Sequence, residues 1–210
     1  MSQHDVLDDR SGIKPKEPQA LWIRPWLGLI GMALPLVALP AQADVKGADG
    51  PRSLGTVVNG VRDGRCGAGL CDVIGGTRAG HNLFHRFDEF DTRGAITGVR
   101  IQSDGYRNVM VGVLNPLGSF IDKAVALSNK GNLFWLSPGG IQIRGAGGFQ
   151  NVQQLQLSTA TGLRFGSGSW DVLRSTPEQL ALLQDDPIRG RAGLFTDATT
   201  LQELGLQANG

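Results

Sequence analysis

The sequence predicts an all-β protein in which short strands wind into a parallel β-solenoid. Glycine and proline are abundant, with 31 and 10 occurrences among 210 residues, and this composition interrupts long helices and favours tight turns. The apolar segments are short, often alternate with polar residues and are flanked by Gly, Pro, Asn or Ser, which is typical of strands.

Two series of apolar residues also recur at intervals of about 20 to 22 residues, as expected if each turn of a solenoid buries its apolar face against the next. The first series consists of Ile101, Ile121, Ile141 and Leu163, and the second of Val111, Leu133 and Leu155. We expect each series to stack in the core. A β-sandwich, whose strands recur every 8–12 residues, is the alternative.

The first 43 residues read as a signal peptide with an extended amino-terminal region of mixed charge. An uncharged apolar run covers residues 26–39, Arg24 precedes it, and Ala41-Gln42-Ala43 follows it. Small residues at Ala41 and Ala43 predict cleavage before Asp44 by signal peptidase, after export by the inner-membrane secretion machinery. An uncleaved anchor or a buried helix is the alternative, although the run is short for the ~30 Å of a bilayer core.

The charge balance gives no reason to expect a nucleic-acid partner. The chain carries 20 basic and 19 acidic residues, whereas proteins that bind nucleic acid usually concentrate positive charge. No glycine-rich phosphate loop follows a strand into a helix, so no cofactor is expected either.

Three segments carry a resemblance to a known family. Gly75–Phe90 (GGTRAGHNLFHRFDEF) and Gly131–Gly147 (GNLFWLSPGGIQIRGAG) resemble motifs of the haemagglutination-activity domain at the start of filamentous-haemagglutinin-like exoproteins. Val113–Ile121 (VLNPLGSFI) matches the intervening region more loosely, and Ser158-Thr159-Ala160 stands where that family often has the same triplet. The resemblance covers residues 65–166 in order.

The resemblance implies a right-handed parallel β-helix with capping β-elements over residues 44–170. It also implies a function, namely recognition in the periplasm by the POTRA domains of an outer-membrane two-partner-secretion transporter, followed by nucleation of β-helix folding outside. The motif residues expected to contribute to recognition are Asn82, Leu83, Phe84, His85, Phe87, Phe90, Asn132, Leu133, Pro138, Gly140 and Ile141. The product would be secreted or held at the surface of a Gram-negative-type envelope, where an adhesin contacts a host or neighbouring cell.

The chain departs from the family pattern at two places. Ser137-Pro138-Gly139-Gly140 replaces the usual Asn-Pro-Asn-Gly turn, which removes both asparagine side chains that cap such a turn. Arg86 stands where the family usually has serine. Residues 171–210 are expected to form a C-terminal extension toward an absent passenger shaft, with a short helix over 177–184 and a further turn over 199–204.

Cys66 and Cys71 lie close together in a chain expected to be exported, which favours a disulfide. Free thiols, or a zinc site completed by His81 and His85, are the alternatives.

The remaining candidate chemistry is a group of carboxylates, namely Asp88, Glu89, Asp91 and Asp104. A β-helical carbohydrate-active enzyme would hold two such groups across a groove, and a carbohydrate-binding domain is a related alternative to the secretion module. Charged side chains mostly lie in solvent, so a charged surface loop is the favoured interpretation and we expect a protein without catalytic residues.

Overall fold

The chain folds into a β-solenoid of about four turns, in which strands account for 55% and helix for 5% of the structure. The computed structural model describes residues 43–188 and the strand Leu194–Phe195. The predicted signal peptide and the predicted turn over 199–204 therefore lie outside the described residues, apart from Ala43. None of the helices in the described ranges is long and apolar enough to cross a membrane.

The described strands are, in chain order, β1 (Val45–Gly47), β2 (Thr56–Val58), β3 (Val61–Arg62), β4 (Arg65–Cys66), β5 (Gly69–Gly75), β6 (Thr77–Ala79), β7 (Asn82–Asp91), β8 (Ile96–Ile101), β9 (Asn108–Val113), β10 (Ser119–Ile121), β11 (Ala124–Leu136), β12 (Ile141–Ile143), β13 (Gly148–Ser158), β14 (Gly162–Arg164), β15 (Ser169–Asp171) and β16 (Leu194–Phe195). A short 3-10 helix, Gly50–Arg52, and the helix α1, Pro177–Leu180, complete the elements.

Parallel pairing between successive turns forms three sides of the solenoid. Side 1 joins β5, β8 and the first parts of β11 and β13. Side 2 joins the first part of β7, β9 and the second parts of β11 and β13. Side 3 joins the end of β7, β10 and β12. This arrangement confirms the predicted parallel β-helix.

Antiparallel strands close the end of the solenoid at which the first turn lies. On side 1 β2 pairs with β5, on side 2 β6 pairs with β7, and on side 3 β1 pairs with the end of β7. These are the predicted capping β-elements. Cys66 on β4, which pairs with the capping strand β1, and Cys71 on β5 of side 1 form a buried disulfide with their Cα atoms 5.7 Å apart, so the favoured pairing is confirmed.

The interior is filled by side chains from alternate positions of the strands, as the period of two in a β-strand requires. A chain of edge-to-face aromatic contacts runs through it, from Phe87 to Phe90 to Trp135 to Phe149, with ring centroids 5.2, 4.6 and 5.5 Å apart. Such pairs add to the free energy of burying the rings themselves.

All four residues of the first series, including Leu163, are buried as predicted. Their predicted stacking on one another is wrong. Ile101 lies on side 1 in register with Val73 and Leu127, whereas Ile121 lies on side 3 opposite Ile143. The reason is that the turns differ in length: equivalent asparagines of successive turns are 26 and then 24 residues apart. A single period of about 20 residues therefore drifts from one side to another.

Two further alignments correct the predicted series. Ile141 lies opposite Ser119, and not opposite Ile121. In the second series the predicted alignment of Leu133 with Leu155 is confirmed, but Leu155 is 42% exposed and not part of the core. Val111 is aligned with Trp135, and Leu133 is aligned with Val109 instead. Leu163 belongs to a separate antiparallel sheet formed by β14, β15 and β16, outside the solenoid.

After Ser158 the chain leaves the solenoid, and residues 159–188, which we call the strap, pack on the outer face of side 2. The strap side chains in this second core are Leu163, Phe165, Trp170, Val172, Leu180 and Leu183. Its helix α1 begins at the predicted residue, with a capping box between Thr176 and Gln179, but ends at Leu180, earlier than predicted. The predicted domain boundary between 170 and 171 falls within β15.

Replacing Ile141 by aspartate should destabilise the fold strongly, because the side chain is 1% exposed among apolar residues. We expect the free energy of unfolding to fall by at least about 3 kcal/mol, since an isolated carboxylate would lose its hydration. Chemical denaturation measures this change. Leu117→Asp, at a residue that is 70% exposed, is the control and should change stability by less than about 0.5 kcal/mol. Equal stability of both variants would contradict the assignment of the interior.

The disulfide predicts that no thiol of the protein, produced in an oxidising compartment, reacts with an alkylating reagent until the protein is reduced. Mass spectrometry should then show two added groups, one on Cys66 and one on Cys71. The stabilisation should stay below the ~3 kcal/mol expected for a loop of 15 residues, because the two cysteines are separated by only 5 positions. Alkylation of both thiols without reduction would refute the pairing.

Candidate functional site

The two Asn-Leu-Phe segments singled out in the sequence occupy equivalent positions on side 2. Asn82 and Asn132 are both in register with Asn108, which lies between them on β9. Asn132 Nδ2 donates to Asn108 Oδ1 and Asn108 Nδ2 donates to Asn82 Oδ1, each over 2.8 Å. The three amides form one buried hydrogen-bonded ladder along the solenoid axis.

The ladder ends on the strap. Asn82 Nδ2 donates to the main-chain oxygens of Leu183 at 2.7 Å and Asp185 at 2.8 Å. Asn108 Nδ2 also lies 3.1 Å from Asp186 Oδ1, a carboxylate that pairs with Arg107 at 2.7 Å. The side chain of Asn82 therefore holds main chain of the C-terminal extension, and Asn108 links it to Asn132.

The leucine and the phenylalanine of each segment point to opposite faces of side 2. Leu83 and Leu133 point into the solenoid, in register with Val109. Phe84 and Phe134 point outward into the second core, with Met110 between them in the same row. Side 2 is thus apolar on both faces, and the strap covers the outer one.

The aromatic rings of the strap contact the outward motif residue Phe84 directly. The Phe84 ring lies 5.5 Å from the Trp170 ring in an edge-to-face arrangement and 5.7 Å from the Phe165 ring. All three rings are at most 3% exposed. Edge-to-face contacts of this kind are preferred by the ring quadrupoles and fix the position of the strap on the sheet.

His85 is a buried structural histidine. Its Nδ1 lies 3.3 Å from the Thr56 hydroxyl, which in turn accepts from the Arg86 main-chain amide. Its Nε2 has no hydrogen-bond partner among the described residues. Burial lowers the pKa of His85 to about 4, so the ring is neutral near pH 7.

Arg86, one departure from the family pattern, is buried to 1% exposure and holds the strap to the cap. Its guanidinium donates to main-chain oxygens of Arg52 at 2.9 Å, Asp171 at 3.3 Å and Ser175 at 2.8 Å. Burial lowers the pKa of Arg86 to about 10, which still leaves the group charged near pH 7. A serine at this position is too short to reach three separate carbonyl groups.

The second departure, the turn at residues 137–140, has the same main-chain hydrogen bond as the turn at residues 115–118, which lies one turn of the solenoid earlier. Gly118 N donates to Asn115 O, and Gly140 N donates to Ser137 O, so both segments close in the same way. The Ser137 hydroxyl donates to Gly140 O at 2.7 Å, which provides a hydrogen bond across the turn without an asparagine. At Gly118, a Cβ atom would lie 2.2 Å from Gly140 O and the φ angle is +84°, so only glycine fits there.

Pro138, Gly140 and Ile141 lie on or next to side 3, away from the asparagine ladder. Ile141 is in register with Ser119, and Ser119 is in register with Phe90, so these residues stack in one row. The Ser119 hydroxyl accepts from Trp135 Nε1 at 3.0 Å and bonds the Ser137 hydroxyl at 2.9 Å. This buried network joins side 3 to side 2.

Sequence reasoning missed four residues that complete these contacts, namely Asn108, Met110, Arg86 as a hydrogen-bond donor to the strap, and Trp170. A signal for Asn108 was present, because it lies 26 residues after Asn82 and 24 before Asn132. Trp170 gave no comparable signal, because the strap sequence does not repeat the spacing of the solenoid turns and so does not indicate which strand Trp170 contacts.

The alternative zinc site is not formed. Cys66 and Cys71 are bonded to each other, and His85 lies against Thr56. Within residues 43–188 no group of three or more His, Cys, Asp or Glu side chains is placed to hold a metal ion.

The four carboxylates considered in the sequence are Asp88, Glu89, Asp91 and Asp104. Asp88 pairs with Lys46 at 3.0 Å and Asp91 with Arg93 at 2.9 Å. Asp104 accepts from the Ser128 hydroxyl at 3.2 Å and from the Asn129 amide. Burial raises the pKa of Glu89. The predicted charged surface loop is therefore wrong for Asp88, Glu89 and Asp91, which lie at the end of strand β7, with Asp91 only 3% exposed. Of the four, only Asp104 lies in an exposed loop.

Comparison of the chain with models of protein families, with curated protein sequences and with solved structures finds no significant match.

The buried neutral His85 predicts a specific loss of stability in mild acid. Its pKa is lower in the folded state, about 4, than the ordinary value of 6.5, so the unfolded chain takes up this proton first as the pH falls. Stability should be unaffected by this group above pH 6.5, decline between pH 6.5 and about 4, and level off below. The full effect is about 3 kcal/mol, at about 1.36 kcal/mol per pKa unit.

Urea denaturation at a series of pH values tests this, with His85→Leu as the variant and His81→Leu, at an exposed residue, as the matched control. Only His85→Leu should flatten the curve between pH 6.5 and 4. The comparison uses the slope of the free energy of unfolding against pH, so a general loss of stability in either variant does not obscure it. An unchanged slope in His85→Leu would contradict the burial of a neutral ring.

Proposed function

We propose that this chain is the secretion-targeting domain of a two-partner-secretion exoprotein of the filamentous-haemagglutinin type. The observation that carries the proposal is the register of side 2, in which Asn82-Leu83-Phe84 and Asn132-Leu133-Phe134 occupy the same three positions in different turns. Two segments resembling one family's motifs thus have equivalent structural roles.

The partner under this proposal is the set of POTRA domains of an outer-membrane transporter barrel. POTRA recognition by strand addition would use main-chain hydrogen bonds for affinity and side-chain pockets for specificity. In the folded domain β7, the strand of the first motif, is already paired with β9 and β6 on side 2. Residues 82–85 are also buried. Recognition therefore acts on the chain before side 2 is completed, while these strand edges are still open.

The asparagine ladder supports a role in nucleating the β-helix. Asn108 donates to Asn82 and Asn132 donates to Asn108, so these two bonds can form in order as the second and third turns are added. Buried amide ladders of this kind are strong only when every member is satisfied. Register is thereby specified from the first turn to the third, and later turns can be added on a template.

The location that follows from this function is the periplasm during transit and then the cell surface or the medium. Entry into the periplasm would depend on the signal peptide at residues 1–43, and the oxidising periplasm is where the Cys66–Cys71 disulfide can form. An adhesin of this type would contact a host or neighbouring cell through regions beyond the targeting domain.

Export should depend on a partner barrel. The chain is expressed with its signal peptide in a Gram-negative host, with and without the two-partner-secretion transporter encoded in its own genome, and the medium and periplasm are assayed for it. We expect the chain in the medium only when the transporter is present. Equal amounts in the medium without any transporter would refute the proposal.

A direct binding assay separates recognition from folding. The chain is unfolded in urea and then diluted into a solution of the purified periplasmic region of that transporter, and binding is measured. The wild type is compared with Asn132→Ala, with Pro138→Ala and with the control Asn129→Ala, whose asparagine is exposed. Asn132→Ala and Pro138→Ala should bind more weakly than the control. Thermal melting of each variant shows whether it still folds, and unchanged binding of all three would remove these residues from the recognised segment.

A further inference from the structure

The end of the solenoid at which the fourth turn lies is open. Of the described strands only β11 pairs with β13, so the other edge of β13 has no partner strand among them. Its apolar side chains are correspondingly less covered than those one turn below. Leu155 is 42% exposed and lies opposite Leu133, which is fully buried, and half-buried Leu157 lies opposite fully buried Trp135.

Beyond the irregularity at Asn151, residues 152–158 of this edge lack the features by which proteins usually prevent strand addition. β13 has the sequence GFQNVQQLQLS, with no charged residue and no proline over 11 residues. Natural edge strands are usually kept apart by lysine, proline, bulges or short length. The glutamines of β13 provide side-chain amides that can donate to and accept from a neighbouring strand of the same sequence.

The other end of the solenoid offers little free edge. There β2, β6 and β1, each of three residues, run antiparallel to the strands of the first turn and cover all three sides. On their outer edges β2 pairs with β3 and β1 with β4, while β6 lies against the helix α1. An open end can therefore meet only another open end. Two identical ends meeting in this way are related by a two-fold axis, which closes the assembly at two copies and prevents a fibre.

We propose that two copies of this chain join end to end through β13, with residues 152–158 of each copy paired antiparallel across a two-fold axis near Leu155. A two-fold axis along the normal of side 2 reverses the strand direction but keeps interior side chains facing the interior. Leu155 and Leu157 of each copy then continue the apolar interior of the other. An uncharged strand meets its own copy without repulsion, which is why a second copy is the favoured occupant.

The test is sedimentation of the purified chain over a range of concentrations. The wild type should interconvert between one and two chain masses. Leu155→Lys places two like charges next to the axis and should weaken association at least about tenfold. Val61→Lys is the matched control, since Val61 is 60% exposed on β3 at the closed end, and it should associate like the wild type. Thermal melting checks that both variants fold.

Each other outcome overturns the inference. A wild type that stays at one chain mass at all concentrations would mean that solvent or another segment of the chain covers β13. Species larger than two copies would mean that the closed end also pairs. Equal association of Leu155→Lys and wild type would place the interface elsewhere, and equal weakening by Val61→Lys would show a general charge effect. Because none of these measurements involves the transporter, their failure leaves the proposed export function to its own test.

Discussion

The structure depends on the burial of side 2 of the solenoid on both of its faces. One face fills the interior, as in any solenoid, but the other presents the row of Phe84, Met110 and Phe134 outward. An apolar row that is left exposed to water is unfavourable, and such a row usually marks a contact with another molecule or another segment of the chain. The strap provides this contact within the chain, because its aromatic and aliphatic side chains pack on that row.

Polar groups then fix the strap in one position. The apolar contact is non-directional, whereas Asn82 and Arg86 donate to particular main-chain oxygens of the strap. A buried hydrogen bond contributes about 0.5–1.5 kcal/mol, or more when one group is charged. Leaving such a donor unpaired costs more than that, so a displaced strap would be penalised at Asn82 and Arg86 together. The strap and side 2 should therefore unfold as one unit.

Much of the fold was predictable, because the signals were local. Alternating apolar residues and dense glycines predicted strands and turns, and a short Cys66–Cys71 spacing in a chain expected to be exported predicted the disulfide that is observed. The register was not predictable from a fixed period, since loops of unequal length separate the turns and Ile101 and Ile121 fall on different sides. The strap has no periodic pattern, although the unbroken apolar run at Phe134 in Leu-Phe-Trp-Leu was a signal for burial on both faces.

Native-state hydrogen exchange measures the central claim, that the strap and side 2 form one cooperative unit. We expect the amides of Met110 and Phe134 to exchange only through global unfolding, because these residues lie on inner strands paired on both sides. The amide of Val172, which donates to Thr161 O at 2.7 Å, should show the same free energy of exchange and the same denaturant dependence. Exchange at Val172 through a separate, low-energy opening while Met110 and Phe134 remain protected would contradict the account.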